Sequence, residues 1–203
     1  MLAKDKFLKK NKIYIFVFFL LIFFAKTQML YAAEYDINKI NEHLNSLEFF
    51  SANFIQSNDG TIQEGTIHLG EKRLKIKYFS PSNITFVMSE KKAMYVNYDL
   101  YEVEYFNPLK TPGGVLFEIF KNNLFLSNSK IVKKEKTLIL NKDGFVGEDK
   151  YVINIFFEKS PYLLRKIKLE YGGKQYTITF VNHQYNVTFR DNFFSMVNPL
   201  IVN

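Results

Sequence analysis

From Phe50 onward the chain is written in short runs in which apolar and polar residues alternate, and this period of two restricts it to a fold made of amphipathic strands. Leu74, Ile76 and Tyr78 fall on one face of such a run, with Lys75 and Lys77 on the other, toward solvent. Phe50, Ala52 and Phe54 share a face. Asn58-Asp59-Gly60 then supplies a hairpin turn, because Asp-Gly readily adopts positive φ. Strands follow over 61–69, 73–79 and 84–88, separated by Gly70-Glu71-Lys72 and by Ser80-Pro81. After Ser89-Glu90-Lys91-Lys92 come Met94, Val96 and Tyr98, and then Tyr101, Val103 and Tyr105 alternating with Glu102 and Glu104. Strands resume near Lys130. Tyr151 to Phe157 and Leu163 to Tyr171 precede Gly172-Gly173 and a last alternation at Tyr176, Ile178 and Phe180. Ten or eleven strands at this spacing predict an all-β sandwich or barrel.

Two segments break the alternation. Ile37, Ile40, Leu44 and Leu47 recur at helical spacing, with Asp36 as a candidate cap. Residues 107–114 (NPLKTPGG) read as a loop, and 115–120 (VLFEIF) as a short helix too apolar to stand alone. If that helix covers a barrel mouth it is a lid, with Leu116, Ile119 and Phe120 filling the empty cavity. The cavity face is expected to carry Phe50, Phe54, Leu74, Ile76, Tyr78, Phe86, Met88, Met94 and Val96. A barrel of more than eight strands leaves room that its own side chains do not fill.

The N-terminus belongs to a different category. Five lysines lie within 1–12, residues 13–25 (IYIFVFFLLIFFA) are apolar apart from Tyr14, and Ala32-Ala33 follow. This order reads as a secretory signal over 1–33, and the apolar run is shorter than the roughly 20 residues of a spanning helix. The expected mature domain is 34–203, a monomer in the periplasm. Without the signal, 21 basic residues face 19 acidic ones, a net charge of +2 rather than +7. That balance gives no footing for a nucleic-acid-binding face. There is no cysteine, which excludes disulfides, thiolate metal sites and lipid attachment to a cysteine. His43, His68 and His183 lack metal-ligand spacing, so neither a metal nor another cofactor is expected.

No nucleophile elbow or phosphate loop is present, and Glu102 with Glu104 reads as a solvated strand face rather than an acid–base pair. The expectation is a non-enzyme. Alternation alone also admits a transmembrane barrel, but the runs of five to eight residues fall short of the ~9–11 that a spanning strand needs. The 130–136 run (KIVKKEK) reads as a charged edge that discourages strand pairing.

Several stretches, in order, resemble the outer-membrane lipoprotein carrier protein (LolA) family over about 37–199. They are FFSANFIQ (49–56), EGTIHL (64–69), RLKIKYFSP (73–81), ITFVMSEKKAMYVNYDLYEVEYF (84–106), TPGGVLF (111–117) and the segment 171–199. The resemblance implies an incomplete, unclosed antiparallel β-barrel of about eleven strands, with an N-terminal helix and a short helical lid. It also implies a carrier that takes the acyl chains of lipoproteins from an inner-membrane ABC-type releasing complex to an outer-membrane receptor. The related receptor LolB is itself a lipoprotein needing an N-terminal cysteine, so the soluble carrier is the better match. Alternative readings are a binding protein or sensor of the same fold for another lipid, or an outer-membrane β-barrel. The family carries an Arg-Pro before its aromatic strand, and that arginine bonds to the lid. Gly70 occupies this slot here, leaving Lys72 or Arg73 as substitute latches.

Overall fold

A computed structural model describes residues 37–122, 124–159 and 161–201. The expected signal, its cleavage site and the Asp36 cap lie outside the described residues. Residues 37–46 are helical (α1), and Ile40–Asn203 packs as one compact unit. Eleven strands follow: β1 Phe50–Asn58, β2 Thr61–Leu69, β3 Leu74–Ser80, β4 Ile84–Met88, β5 Ala93–Asn97, β6 Glu102–Phe106, β7 Lys130–Lys133, β8 Thr137–Val146, β9 Asp149–Glu158, β10 Leu163–Tyr171 and β11 Lys174–Tyr185. Between β6 and β7 come a 3-10 turn, Pro108–Lys110, and a helix, α2, Pro112–Lys121.

All the strands join one antiparallel sheet in the order β6-β5-β4-β3-β2-β1-β11-β10-β9-β8-β7. Local hairpins build each half, and the pairing of β1 with β11 joins the two. β6 and β7 form the two ends of the sheet, so the barrel is unclosed, as the resemblance implies.

The registers place the apolar residues on one face. One row runs Phe50, Leu69, Leu74, Met88, Ala93, Phe106, and the next runs Ala52, Ile67, Ile76, Phe86, Tyr95, Glu104. Beyond the β1–β11 seam, Ile178 and Phe180 continue this face into Ile167, Ile155 and Leu140. Most of these residues, with Ile40, Leu44 and Leu47, form the main buried cluster; Phe86 and Phe106 pack against it, and Tyr95 and Glu104 are not part of it. The apolar face therefore points inward, opposite to the outward apolar band of a transmembrane barrel. Phe54 lies across Gly65, where a Cβ would collide with the Phe54 ring and the Lys77 carbonyl. Gly65→Ala is expected to cost about 1–3 kcal/mol through overpacking, read as a drop of several degrees in Tm.

The opposite face of β2–β6 is covered as well. Val87, Met94 and Val96 are buried there, with Phe194, Met196 and Leu200 of the C-terminal segment packed against them. Met94 and Val96 thus lie on the outer face, which corrects the expectation that they share the cavity face with Phe86 and Met88. Val87 pairs with Met94, and Phe86 pairs with Tyr95. The four-residue connection 89–92 sets that parity.

Polar contacts fix the C-terminal segment. Arg73 Nη1 donates to the Phe194 carbonyl (2.5 Å), and Tyr105 Oη donates to the Met196 carbonyl (3.0 Å). Lys75 Nζ donates to the Phe193 carbonyl (2.9 Å) and lies over the Phe193 ring, so it does not simply face water. His68 sits under Phe189 and Phe193, with its ring nitrogens 3.0 Å from the Ser51 and Thr66 hydroxyls. Burial first, and then the Lys75 and Lys77 charges, push His68 down to about 4. The neutral ring is thus favoured by folding. Its contribution to stability is complete above 6.5, the unfolded value, and is lost as pH falls from there through about 4. Thermal unfolding between pH 7 and pH 4 should show a slope that His68→Gln flattens. An unchanged slope would mean that the C-terminal segment does not depend on the neutral ring.

Candidate functional site

The inward face is not completely filled. A cavity of about 320 Å³ remains beneath α2, within the ~300–1,000 Å³ range of ligand pockets. Its wall on β3 and β4 is Ile76, Tyr78, Phe86 and Met88. Leu169, Tyr176 and Ile178 form the wall across the seam, and Gln56 lies between the two. Phe106, Thr111, Pro112, Gly113 and Leu116 close it from the lid side. Among the described residues, none that lines it is charged. A small extension of about 10 Å³ brings in Phe54, Ile67 and Phe180.

Two polar groups of this cavity, on Tyr78 and Gln56, are tied together, and the chain runs on to Gln63 outside the wall. Tyr78 Oη donates to Gln56 Oε1 (3.0 Å), and Gln56 Nε2 donates to Gln63 Oε1 (2.9 Å). Burial pushes the Tyr78 phenol up to about 12, against a smaller opposing effect of the Gln56 bond, so it stays a neutral donor. Tyr78 also contacts Phe54 and Phe86 edge-on, with centroids 5.1 and 6.1 Å away. The result is a stiff aromatic wall with a short polar chain.

The lid helix is longer than the sequence suggests, beginning at Pro112 rather than Val115. Pro112 occupies the first turn, where its missing N–H costs nothing and its fixed φ suits a helix. Gly114 lets that turn press on the preceding 3-10 turn, where a Cβ would collide with the Pro108 carbonyl. Val115, Phe117, Ile119 and Phe120 are buried in the main cluster, while half-buried Leu116 enters the cavity itself. Ile119 and Phe120 therefore anchor the helix, and of the three expected plug residues Leu116 lines the cavity. Among the expected lining residues, Phe50 and Leu74 are buried in the same cluster but outside the cavity wall.

The far end of the lid carries a polar tie that sequence reasoning missed. Lys121 Nζ donates to the Gly70 carbonyl (2.5 Å) and more weakly to the Glu71 carbonyl (3.4 Å). Burial lowers its pKa, offset in part by the Glu48 and Glu71 carboxylates. Gly70 is the residue that the resemblance places in the slot of the carrier family's arginine. Here the donor sits on the lid and the acceptor on the β2–β3 turn. The two substitute latches expected from sequence are corrected. Lys72 is solvent-exposed and pairs loosely with Glu71 (4.0 Å), and Arg73 holds the C-terminal segment. A basic residue in the last turn of a helix ending opposite Gly70 was the available signal.

No protein family matches this chain, and no curated protein matches it by sequence. Solved structures superpose on it in part. An uncharacterized conserved protein from Thermus thermophilus superposes with a TM-score of 0.49 at 10% identity, covering 77% of this chain and 90% of that one. A domain assigned to outer membrane lipoprotein sorting from Vibrio parahaemolyticus gives 0.46 at 9% identity, covering 79% and 95%. LprF from Mycobacterium bovis gives 0.40 at 8% identity, covering 76% and 94%. At these scores and identities no property of those proteins is carried to this chain. The open-barrel assignment rests on the strand order and registers above.

Proposed function

We propose that this protein is a non-catalytic periplasmic carrier that holds the acyl chains of lipoproteins, accepting them from an inner-membrane ABC-type releasing complex and passing them to the outer membrane. The observation that carries this reading is the cavity beneath α2, with no charged residue among its described lining and with Leu116 reaching into it. An acyl chain needs apolar contact and no counter-ion, and this wall supplies both conditions. A carrier must also release its load. Each buried methylene contributes about 0.8 kcal/mol, so a rigid empty pocket would hold several long chains almost irreversibly. A lid side chain that occupies part of the cavity lowers the net gain, because the ligand displaces protein rather than water.

The test is mass spectrometry of what co-purifies after periplasmic expression. Acylated proteins bound to the mature chain are the expected result. A different lipid class, with no acylated protein, would replace this reading with that of a binding protein or sensor of the same fold.

A further inference from the structure

A second concavity lies beside the apolar cavity. It is a wider cleft of about 810 Å³ between the C-terminal end of α2 and the β2–β3 and β4–β5 turns. The two are adjacent through the chain. Met88 lines the cavity and Ser89 the cleft, and Leu116 lines the cavity and Phe117 the cleft.

We propose that this cleft receives the polypeptide part of an acylated protein whose acyl chain occupies the apolar cavity, an inference that rests on the carrier reading. Its charges decide the class of occupant. Glu71, Glu90 and Glu118 are balanced by Lys72, Lys91 and Lys121. A phosphate headgroup would meet three carboxylates, and a cationic group three ammoniums. A peptide presents backbone donors and acceptors with little net charge, which suits alternating signs. Much of the lining is available for it. Glu90 and Lys91 form no ion pair among the described residues, and Lys72 with Glu71 is stretched to 4.0 Å. Leu124, 77% exposed, adds an apolar contact at the rim. Lys121 and Glu71, whose carbonyl Lys121 engages at 3.4 Å, line the same cleft, so an extended peptide there meets the side chain that ties down the lid.

The experiment displaces a neutral fluorescent probe from the mature protein. The competitors are a dodecanoyl monoglyceride, a dodecanoyl peptide of about six uncharged residues with a blocked C-terminus, and that peptide without its acyl chain. The acyl peptide is expected to displace the probe at about tenfold lower concentration than the monoglyceride, equivalent to about 1.4 kcal/mol. Glu90→Lys should favour a peptide carrying aspartates over one carrying lysines, and Lys91→Glu should do the reverse. Neither should change displacement by the monoglyceride. Equal displacement by acyl peptide and monoglyceride overturns the cleft assignment and leaves acyl binding standing. So do variants that shift every competitor alike. If neither acylated competitor displaces the probe, the carrier reading falls, and the cleft assignment with it.

Discussion

Leu116→Glu is expected to hold the lid open. Leu116 half-buries its side chain in a cavity with no charged residue among its described lining, between Ile76, Tyr78 and Ile178. A carboxylate placed there would be desolvated without a partner, which costs several kcal/mol. The turn of α2 that carries Leu116 is therefore expected to swing out of the cavity, while Ile119 and Phe120 keep the C-terminal half of the helix anchored in the main cluster. The barrel keeps its core, because the strands that build it do not depend on Leu116. Ligand-free Leu116→Glu protein should bind a neutral hydrophobic probe more strongly than the wild type, and proteases should cut faster within 107–122. Leu116→Ala separates the charge from the lost contact: it should enlarge the cavity with little extra cleavage. Wild-type probe binding and protease resistance in Leu116→Glu would show that α2 is a fixed wall.

The second large effect is expected at Lys121. Hydrogen bonds to charged groups contribute about 1.5–3 kcal/mol, and partial exposure brings this one down to about 1–2 kcal/mol. Lys121→Met keeps the apolar stem and removes the ammonium, so the open lid should become roughly 5–30 times more populated. Faster probe entry and faster proteolysis of the lid would both report it. Lys72→Ala should do little, since its partner is a distant exposed carboxylate. If Lys72→Ala loosens the lid and Lys121→Met is silent, the tie has been assigned to the wrong residue.

The strands were legible in the sequence because most have one buried face. β3 alternates without ambiguity, and its inward set of Leu74, Ile76 and Tyr78 needed no structure to assign. β5 gave no such phase. Ala93, Met94 and Val96 are all buried and Tyr95 is half-buried, because the C-terminal segment covers the outer side. A strand apolar on both faces carries no record of which face is inward. Only the four-residue connection from Met88 to Ala93 settles it. The start of α2 was hidden for a different reason. Pro112, Gly113 and Gly114 are loop residues by composition, yet a proline in the first turn and a glycine at a tight approach suit a helix start. Half of the cavity was invisible to any local reading. Gln56 and Tyr78 meet Leu169, Tyr176 and Ile178 only because β1 pairs with β11, a contact between segments more than a hundred residues apart.

Under the carrier reading proposed above, the break between β6 and β7 bears on how one protein would take loads of different size. A closed barrel can change its girth only by breaking a ladder of hydrogen bonds or shifting its register. A sheet with two ends can uncurl by small changes of twist at every strand pair, leaving each ladder intact. The hinge is then distributed over ten pairings rather than placed at one. Capacity becomes an elastic property of the sheet, and the volume seen under a closed lid is its resting value rather than its limit.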